Sequence, residues 1–160
     1  MSGSAGRILG REALRELCAR WRAQGETIVF TNGCFDILHV GHARYLEQAR
    51  ALGDHLVVGV NSDRSTRALK GPERPIVPEA ERAEMVASLR AVDAVSIFDE
   101  ELPDELIRAV RPHIHTKGGD YREEDLPEAK VVREYGGEVR VLALVPDHST
   151  TRLVDMMRQR

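Results

Sequence analysis

The 160-residue chain is 42% hydrophobic and 31% charged, with a formal net charge of -3. This is the composition of one ordinary globular domain, long enough for a single substantial core. The charge excludes the basic excess of a bulk nucleic-acid binder, no apolar run approaches a transmembrane length, and residues 1–7 lack the apolar stretch of a signal peptide. Two cysteines, Cys18 and Cys34, make no disulfide framework. The expectation is a reduced cytoplasmic protein with neither nucleic acid nor membrane as partner.

Along the chain, Leu9 to Arg22 sets Leu14, Leu17, Cys18 and Trp21 at helical spacing, ending near Gly25. Residues 1–25 therefore read as an N-terminal helical segment, and residues 26–160 as the core of the same single domain. Thr27 to Phe30 is an apolar run of the kind found in buried parallel strands, and Ala43 to Arg50 reads as the helix after it, closing at Leu52-Gly53. His55 to Asn61 is a second strand. Arg64 to Pro78, with three prolines, reads as a long loop. Glu79 to Arg90 is helical, Ala94 to Phe98 a third strand, and Leu102 to Val110 a helix. His113 to Thr116 is a short strand running into Lys117-Gly118-Gly119-Asp120. Leu126 to Tyr135 is a helix stopped by Gly136-Gly137, Glu138 to Val145 a fifth strand, and a last helix starts after His148-Ser149-Thr150.

Strands alternating with helices through short turns imply right-handed crossovers. The predicted class is α/β, a Rossmann-like parallel five-stranded sheet with helices on both faces. Ligands of such sheets bind beyond the carboxyl ends of the strands. Those post-strand segments are Asn32–His42, Asn61–Lys70, Lys117–Tyr121 and His148–Thr151, and they hold most of the histidines, the glycine pairs and the hydroxyl cluster.

The richest of them follows the first strand. A glycine-bearing turn delivers His39 and His42, three residues apart, to the first turn of a helix, where free N–H groups and a partial positive charge suit an anion. Gly41 has no side chain to keep a phosphate off the backbone. Read without context, the pair is also a zinc half-site, but zinc needs further ligands at set spacing and no Cys/His cluster supplies them, so no metal site is assigned. Ser149-Thr150-Thr151 would serve as an ordinary N-cap or as a second anion site. Alone, Lys70 is a solvated lysine, Arg82 pairs with a nearby carboxylate such as Glu79, and His55, His113 and His115 are strand-edge residues without a chemical role. Cys34 fills a crowded turn and has no base at known spacing to make it a nucleophile. The first turn lacks Gly-x-Gly-x-x-Gly, which counts against a dinucleotide-binding domain.

His39-Val40-Gly41-His42, with its flank Asn32-Gly33-Cys34-Phe35-Asp36-Ile37-Leu38 and with Ser149-Thr150-Thr151 opening the last helix, resembles the HxGH signature of the cytidylyltransferase-like nucleotidyltransferases. Asn61-Ser62-Asp63 with Leu69-Lys70-Gly71, Arg74-Pro75-Ile76 with Glu81-Arg82, and Lys117-Gly118-Gly119-Asp120-Tyr121 narrow the likeness to the D-glycero-β-D-manno-heptose 1-phosphate adenylyltransferases of ADP-heptose synthesis. The resemblance covers Thr27 to the C-terminus. The glycerol-3-phosphate cytidylyltransferase branch usually carries Arg-Thr-Glu-Gly-Ile before its hydroxyl turn, whereas this chain has Val145-Pro146-Asp147-His148.

The resemblance implies an adenylyltransferase acting on ATP with Mg²⁺ and a sugar phosphate, a homodimer, and a stand-alone form served by a separate upstream heptose kinase. It implies catalytic roles for His39, His42 and Lys70. It implies nucleotide binding by Thr31, Asn32, Gly33, Cys34, Phe35, Asp36 and Gly41, by Asp63, by Arg82 reaching the pyrophosphate, by Lys117, Gly118, Gly119 and Asp120 around the adenosine, and by Ser149, Thr150 and Thr151. Within that set Phe35 and Asp36 shape the turn rather than react. The competing readings are a cytidylyltransferase for glycerol 3-phosphate or a similar phosphate, and a non-catalytic nucleotide-binding regulatory module on the same fold.

Overall fold

A computed structural model describes residues 7–119, 121–143 and 149–160. The helices and strands follow in the order α1 (Arg11–Ala23), β1 (Ile28–Gly33), α2 (Val40–Arg50), β2 (His55–Asn61), α3 (Asp63–Lys70), α4 (Glu79–Ala87), β3 (Ala94–Phe98), α5 (Asp104–Val110), β4 (Ile114–Gly118), α6 (Ala129–Glu134), β5 (Glu138–Leu142) and α7 (Thr150–Arg158). A 3₁₀ turn at Glu123–Asp125 precedes α6. The five strands are parallel, in the order β3-β2-β1-β4-β5.

Alternation along the central strands feeds two cores. Ile28 and Phe30 of β1 and Val57 of β2 join Leu14 and Cys18 of α1 and Leu106, Ile107 and Val110 of α5. Val29 of β1 and Leu56, Val58 and Val60 of β2 join Tyr45, Leu46 and Ala49 of α2 and Ala83 and Val86 of α4 on the opposite face. A strand covered on both faces can bury every residue, which is why these segments are apolar throughout rather than alternating. Cys18, fully buried, behaves as core: desolvation pushes its thiol up to about 12.

The topology sets the site. The chain winds from β1 out to β3, then crosses back to β4 on the other side of β1, so a crevice opens at the carboxyl ends of β1 and β4. One predicted element is corrected. Arg64–Pro78 is not all loop, because Asp63–Lys70 forms α3, capped by the Ser62 hydroxyl accepting from Ser65 N at 3.1 Å. Its buried positions are Ser65 and Thr66. A helix that packs through hydroxyls has no apolar stripe to betray it, whereas the prolines mark only the segment after it. Fifth-strand residues 144–145 fall outside the described residues.

Gly59, in the middle of β2, has no room for a methyl group: an added Cβ would lie 2.9 Å from Leu106 Cδ2 and 3.0 Å from Phe30 Cζ. Gly59→Ala is expected to destabilise the fold by about 1–3 kcal/mol through overpacking, measured by urea or thermal unfolding; an unchanged midpoint would show that Leu106 and Phe30 yield freely.

Candidate active site

β1 delivers Thr31, Asn32 and Gly33 to its carboxyl end, and the chain then turns sharply to start α2. Phe35 makes that turn in the left-handed region, at φ 49°, a conformation that costs a non-glycine residue of order 1 kcal/mol or more. Packing holds it there: Phe35 is buried and its ring lies 5.5 Å from that of His42. The ring also explains Gly33, where a Cβ would come within 3.0 Å of Phe35 Cε2.

His39 is the N-cap of α2. Its Nδ1 accepts from Gly41 N at 3.1 Å, and His42 Nδ1 accepts in return from His39 N at 3.3 Å. Two imidazoles thus form the reciprocal cap usually made by a hydroxyl and a carboxylate. The consequence is chemical. A neutral ring whose Nδ1 accepts must carry its proton on Nε2, so both rings, 4.0 Å apart, present Nε2–H donors. Burial, and then the neighbouring His39, lower the His42 pKa from the ordinary 6.5 to about 4, which makes it a neutral donor at pH 7.

Behind the turn lies a buried polar frame. The Asp36 side chain is fully buried; it takes Arg74 Nε at 2.6 Å and the backbone N–H groups of Ile76 and Val77 at 2.9–3.0 Å. Burial alone would raise this carboxyl, but those N–H groups and the Arg74 guanidinium hold it below the usual range. Arg82 is expected from the sequence at the pyrophosphate, and the structure corrects this. Its side chain is fully buried, donating through Nη1 to Cys34 O (2.6 Å) and Asn61 O (2.7 Å), through Nε to Val77 O (2.8 Å) and through Nη2 to Asp63 Oδ1 (2.8 Å). Asp63 likewise serves the frame, accepting from Arg82 and from Glu79 N. Neither residue lines the cavity.

That cavity, about 570 Å³, is open at the carboxyl ends of the strands and matches the size of a small-molecule site. Thr31, Asn32, Gly33, Cys34, Phe35, Asp36, His39, Gly41, His42, Lys70, Lys117, Gly118, Ser149, Thr150 and Thr151 all line it. Asn32 Oδ1 is buried with no hydrogen-bond partner among the described residues, an acceptor offered to the cavity. Ser149 caps α7 by accepting from Arg152 N (3.0 Å), and Thr150 Oγ1 donates to Ile37 O (3.0 Å), fastening this helix start to the histidine turn. Two helix N-termini therefore meet at one cavity. Lys70 ends α3 rather than riding a loop. Gly119 points elsewhere: its N donates to Leu142 O, at a φ of 125° that favours glycine. Asp120 lies outside the described residues.

Sequence reasoning missed several cavity residues. Tyr45 sets its hydroxyl 2.9 Å from both Thr31 Oγ1 and Thr116 Oγ1, bracing β1 against β4. Arg74, Glu101, Leu102, Pro103 and Glu128 also line the cavity, while Asn61, Leu69 and Tyr121 line it from within the post-strand segments that the sequence singled out. Tyr45 carried a signal, standing three residues after His42 and so on a neighbouring part of the same helix. Glu128 carried none. His115, read as a strand-edge residue, is fully buried with Nε2 3.3 Å from Glu128.

Among known proteins, the family described as Cytidylyltransferase-like matches residues 30–155. A curated relative from Koribacter versatilis, "Bifunctional protein HldE", is 54% identical over 93% of this chain and 31% of its own length. One of the same name from Pseudomonas aeruginosa is 54% identical over 99% of this chain and 33% of its own. The chain thus spans about a third of the length of these relatives. The crystal structure of a lipopolysaccharide core biosynthesis protein from Thermoplasma volcanium superposes with TM-score 0.61 at 31% identity, covering 76% of this chain and 98% of that one. A pantothenate synthetase from Thermus thermophilus shares the fold at TM-score 0.58 and 20% identity.

Arg82→Lys leaves an ammonium that cannot reach four acceptors spread around a guanidinium. A loss of about 3–5 kcal/mol in unfolding free energy is expected; a variant as stable as the parent would remove Arg82 from the frame. His42 makes stability depend on pH with a definite sign. Its native pKa lies below the unfolded value, so the unfolded chain binds more protons between about pH 6.5 and 4, and stability falls as pH drops through that window. The His42 share is at most about 3 kcal/mol, read as the difference in pH slope between the parent and His42→Asn; identical slopes would refute it.

Proposed function

Given that the chain belongs to the cytidylyltransferase-like family and is a nucleotidyltransferase, we propose that it transfers AMP from ATP to a sugar 1-phosphate, D-glycero-β-D-manno-heptose 1-phosphate, giving ADP-heptose and pyrophosphate for lipopolysaccharide core or other heptose glycoconjugate synthesis. The observation that carries the reading is the His39–His42 pair at a helix N-terminus, whose Nδ1 atoms both accept from backbone N–H groups, so that each neutral ring carries its N–H on Nε2. The HldE name of the relatives and the lipopolysaccharide title of the solved neighbour support the choice of pathway. A heptose kinase would supply the sugar 1-phosphate. A cytoplasmic location and a homodimer belong to the same proposal.

In the proposed reaction a phosphate oxygen of the sugar 1-phosphate attacks the α-phosphorus of ATP. The bond from that phosphorus to the bridging oxygen breaks, and its electron pair leaves with pyrophosphate. The second pKa of a phosphate monoester is about 6, so the nucleophile is largely deprotonated at pH 7 and needs no general base. The chain's task is placement and charge stabilisation. His39 and His42 donate to the α- and β-phosphate oxygens; being neutral, His42 gains most where negative charge grows at the breaking bond. Lys70 approaches from the end of α3, and the N-terminus of α7 offers further N–H groups to the triphosphate. Among the described residues no cluster of three or more His, Cys, Asp or Glu is placed to hold a metal ion. Mg²⁺ would be held mainly by triphosphate oxygens, whose charge it neutralises when bound.

Pyrophosphate release is the test, with ATP or CTP offered against heptose 1-phosphate and glycerol 3-phosphate in Mg²⁺. ATP-dependent turnover of the heptose phosphate is expected, falling about 10²–10³-fold in His42→Asn. That substitution keeps an acceptor near the Nδ1 position and removes the Nε2 donor. Turnover with CTP alone would move the chain to the glycerol-phosphate branch, and ATP binding without turnover of any acceptor would favour a regulatory module.

A further inference from the structure

The β4 side of the cavity carries a buried carboxylate. Glu128 is 3% exposed yet lines the cavity on the β4 side, and a buried carboxylate is costly unless its partners are good. Its Oε1 lies 3.3 Å from His115 Nε2 and 3.9 Å from Lys117 Nζ. Burial by itself would raise this carboxyl, but the His115 hydrogen bond, its own backbone N–H and the Lys117 charge hold it below the usual range. The group is an ionised acceptor with no proton to give. Both side-chain contacts fall on one oxygen.

With Lys117 and His115 both on Oε1, the carboxylate remains an acceptor on this wall, and an uncharged part of a nucleotide that brings a donor fits beside it. Gly118, at the end of β4, lines the cavity without a side chain, and Tyr121, half-exposed, adds an aromatic ring to the lining. A cavity side that combines bare backbone, an aromatic ring and a buried acceptor suits a flat base with an exocyclic amine. We propose that Glu128 is the base-specificity residue, its carboxylate accepting from the 6-amino group of adenine and rejecting a 6-oxo purine, whose acceptor oxygen would face it. The assignment rests on the nucleotidyltransferase reading above. His115 is then a positioning residue, holding the carboxylate from the sheet side.

The test is equilibrium binding, by calorimetry in Mg²⁺, of ATP, inosine triphosphate and purine riboside triphosphate to the parent chain and to Glu128→Gln. A hydrogen bond to a charged group is worth about 10- to 100-fold in affinity. The parent is expected to prefer ATP over inosine triphosphate by that factor, with the unsubstituted purine between them. In Glu128→Gln the preference should collapse toward unity, since a carboxamide presents either a donor or an acceptor. Equal binding of ATP and inosine triphosphate by the parent overturns the proposal. So does a variant that weakens both nucleotides alike, the result expected if Glu128 only orients Lys117 or meets a sugar hydroxyl. Should the variant fail to fold, the three-nucleotide series on the parent decides. Failure of the functional reading looks different: amine discrimination persists while no acceptor is adenylylated.

Discussion

A guanidinium with no access to solvent holds the catalytic end of this sheet together. Arg82 donates to carbonyls at the end of β1 and the end of β2, to one in the loop before α4, and to the Asp63 carboxylate at the start of α3. Those four acceptors all lie beyond the β1–β2 ladder, which ends at Gly33 and Val60. Taking an arginine out of water is expensive, and only a nearly complete set of partners offsets it. The geometry is therefore close to all-or-none: a partial frame would leave a buried charge or a buried carbonyl unpaired.

Asp36 completes the frame with the opposite sign. Its carboxylate ties the loop at Arg74–Val77 to the histidine turn, as Arg82 ties the same loop to the strand ends. Between them the Phe35 backbone is held in a conformation that an L-residue reaches only at a cost. The turn is thus fixed before any ligand arrives, and donors placed in advance lose little on binding and need not reorganise during reaction. Arg82 and Asp36 matter to chemistry through the position of His39 and His42.

The sheet was legible in the chain because strands buried on both faces are continuous apolar runs, as at His55–Asn61, whose limits match the structure. The site was legible where chemistry and local structure coincide: two histidines and a glycine at a strand-to-helix turn, and a hydroxyl cluster at a helix start. What escaped depends on long-range packing. α3 packs through Ser65 and Thr66, so it has no hydrophobic period to detect. Arg82 reads as a surface residue because nothing local reveals that Cys34, Asn61 and Val77 converge on it. Glu128 and His115 are separated by 13 residues and meet only through the β4–α6 crossover. The sequence shows charges; the fold decides which of them face a ligand.

The two sides of the cavity differ in their chemistry. On the side of β1, α2 and α7 stand neutral imidazole donors and helix N-termini, with Lys70 nearby, and the Asp36 carboxylate there is spent on Arg74 and backbone N–H groups. On the β4 side stands Glu128, an ionised acceptor with Lys117 3.9 Å away. Neutral donors have a particular merit for phosphoryl transfer. A fully charged cation at the triphosphate would bind ground state and transition state strongly alike, which raises affinity more than rate. A desolvated His42 whose pKa lies near 4 resists protonation by the bound substrate and responds instead to charge that develops at the breaking bond. Burial beneath Phe35 is what keeps it so, and the strained turn is thereby part of the chemistry as well as of the fold.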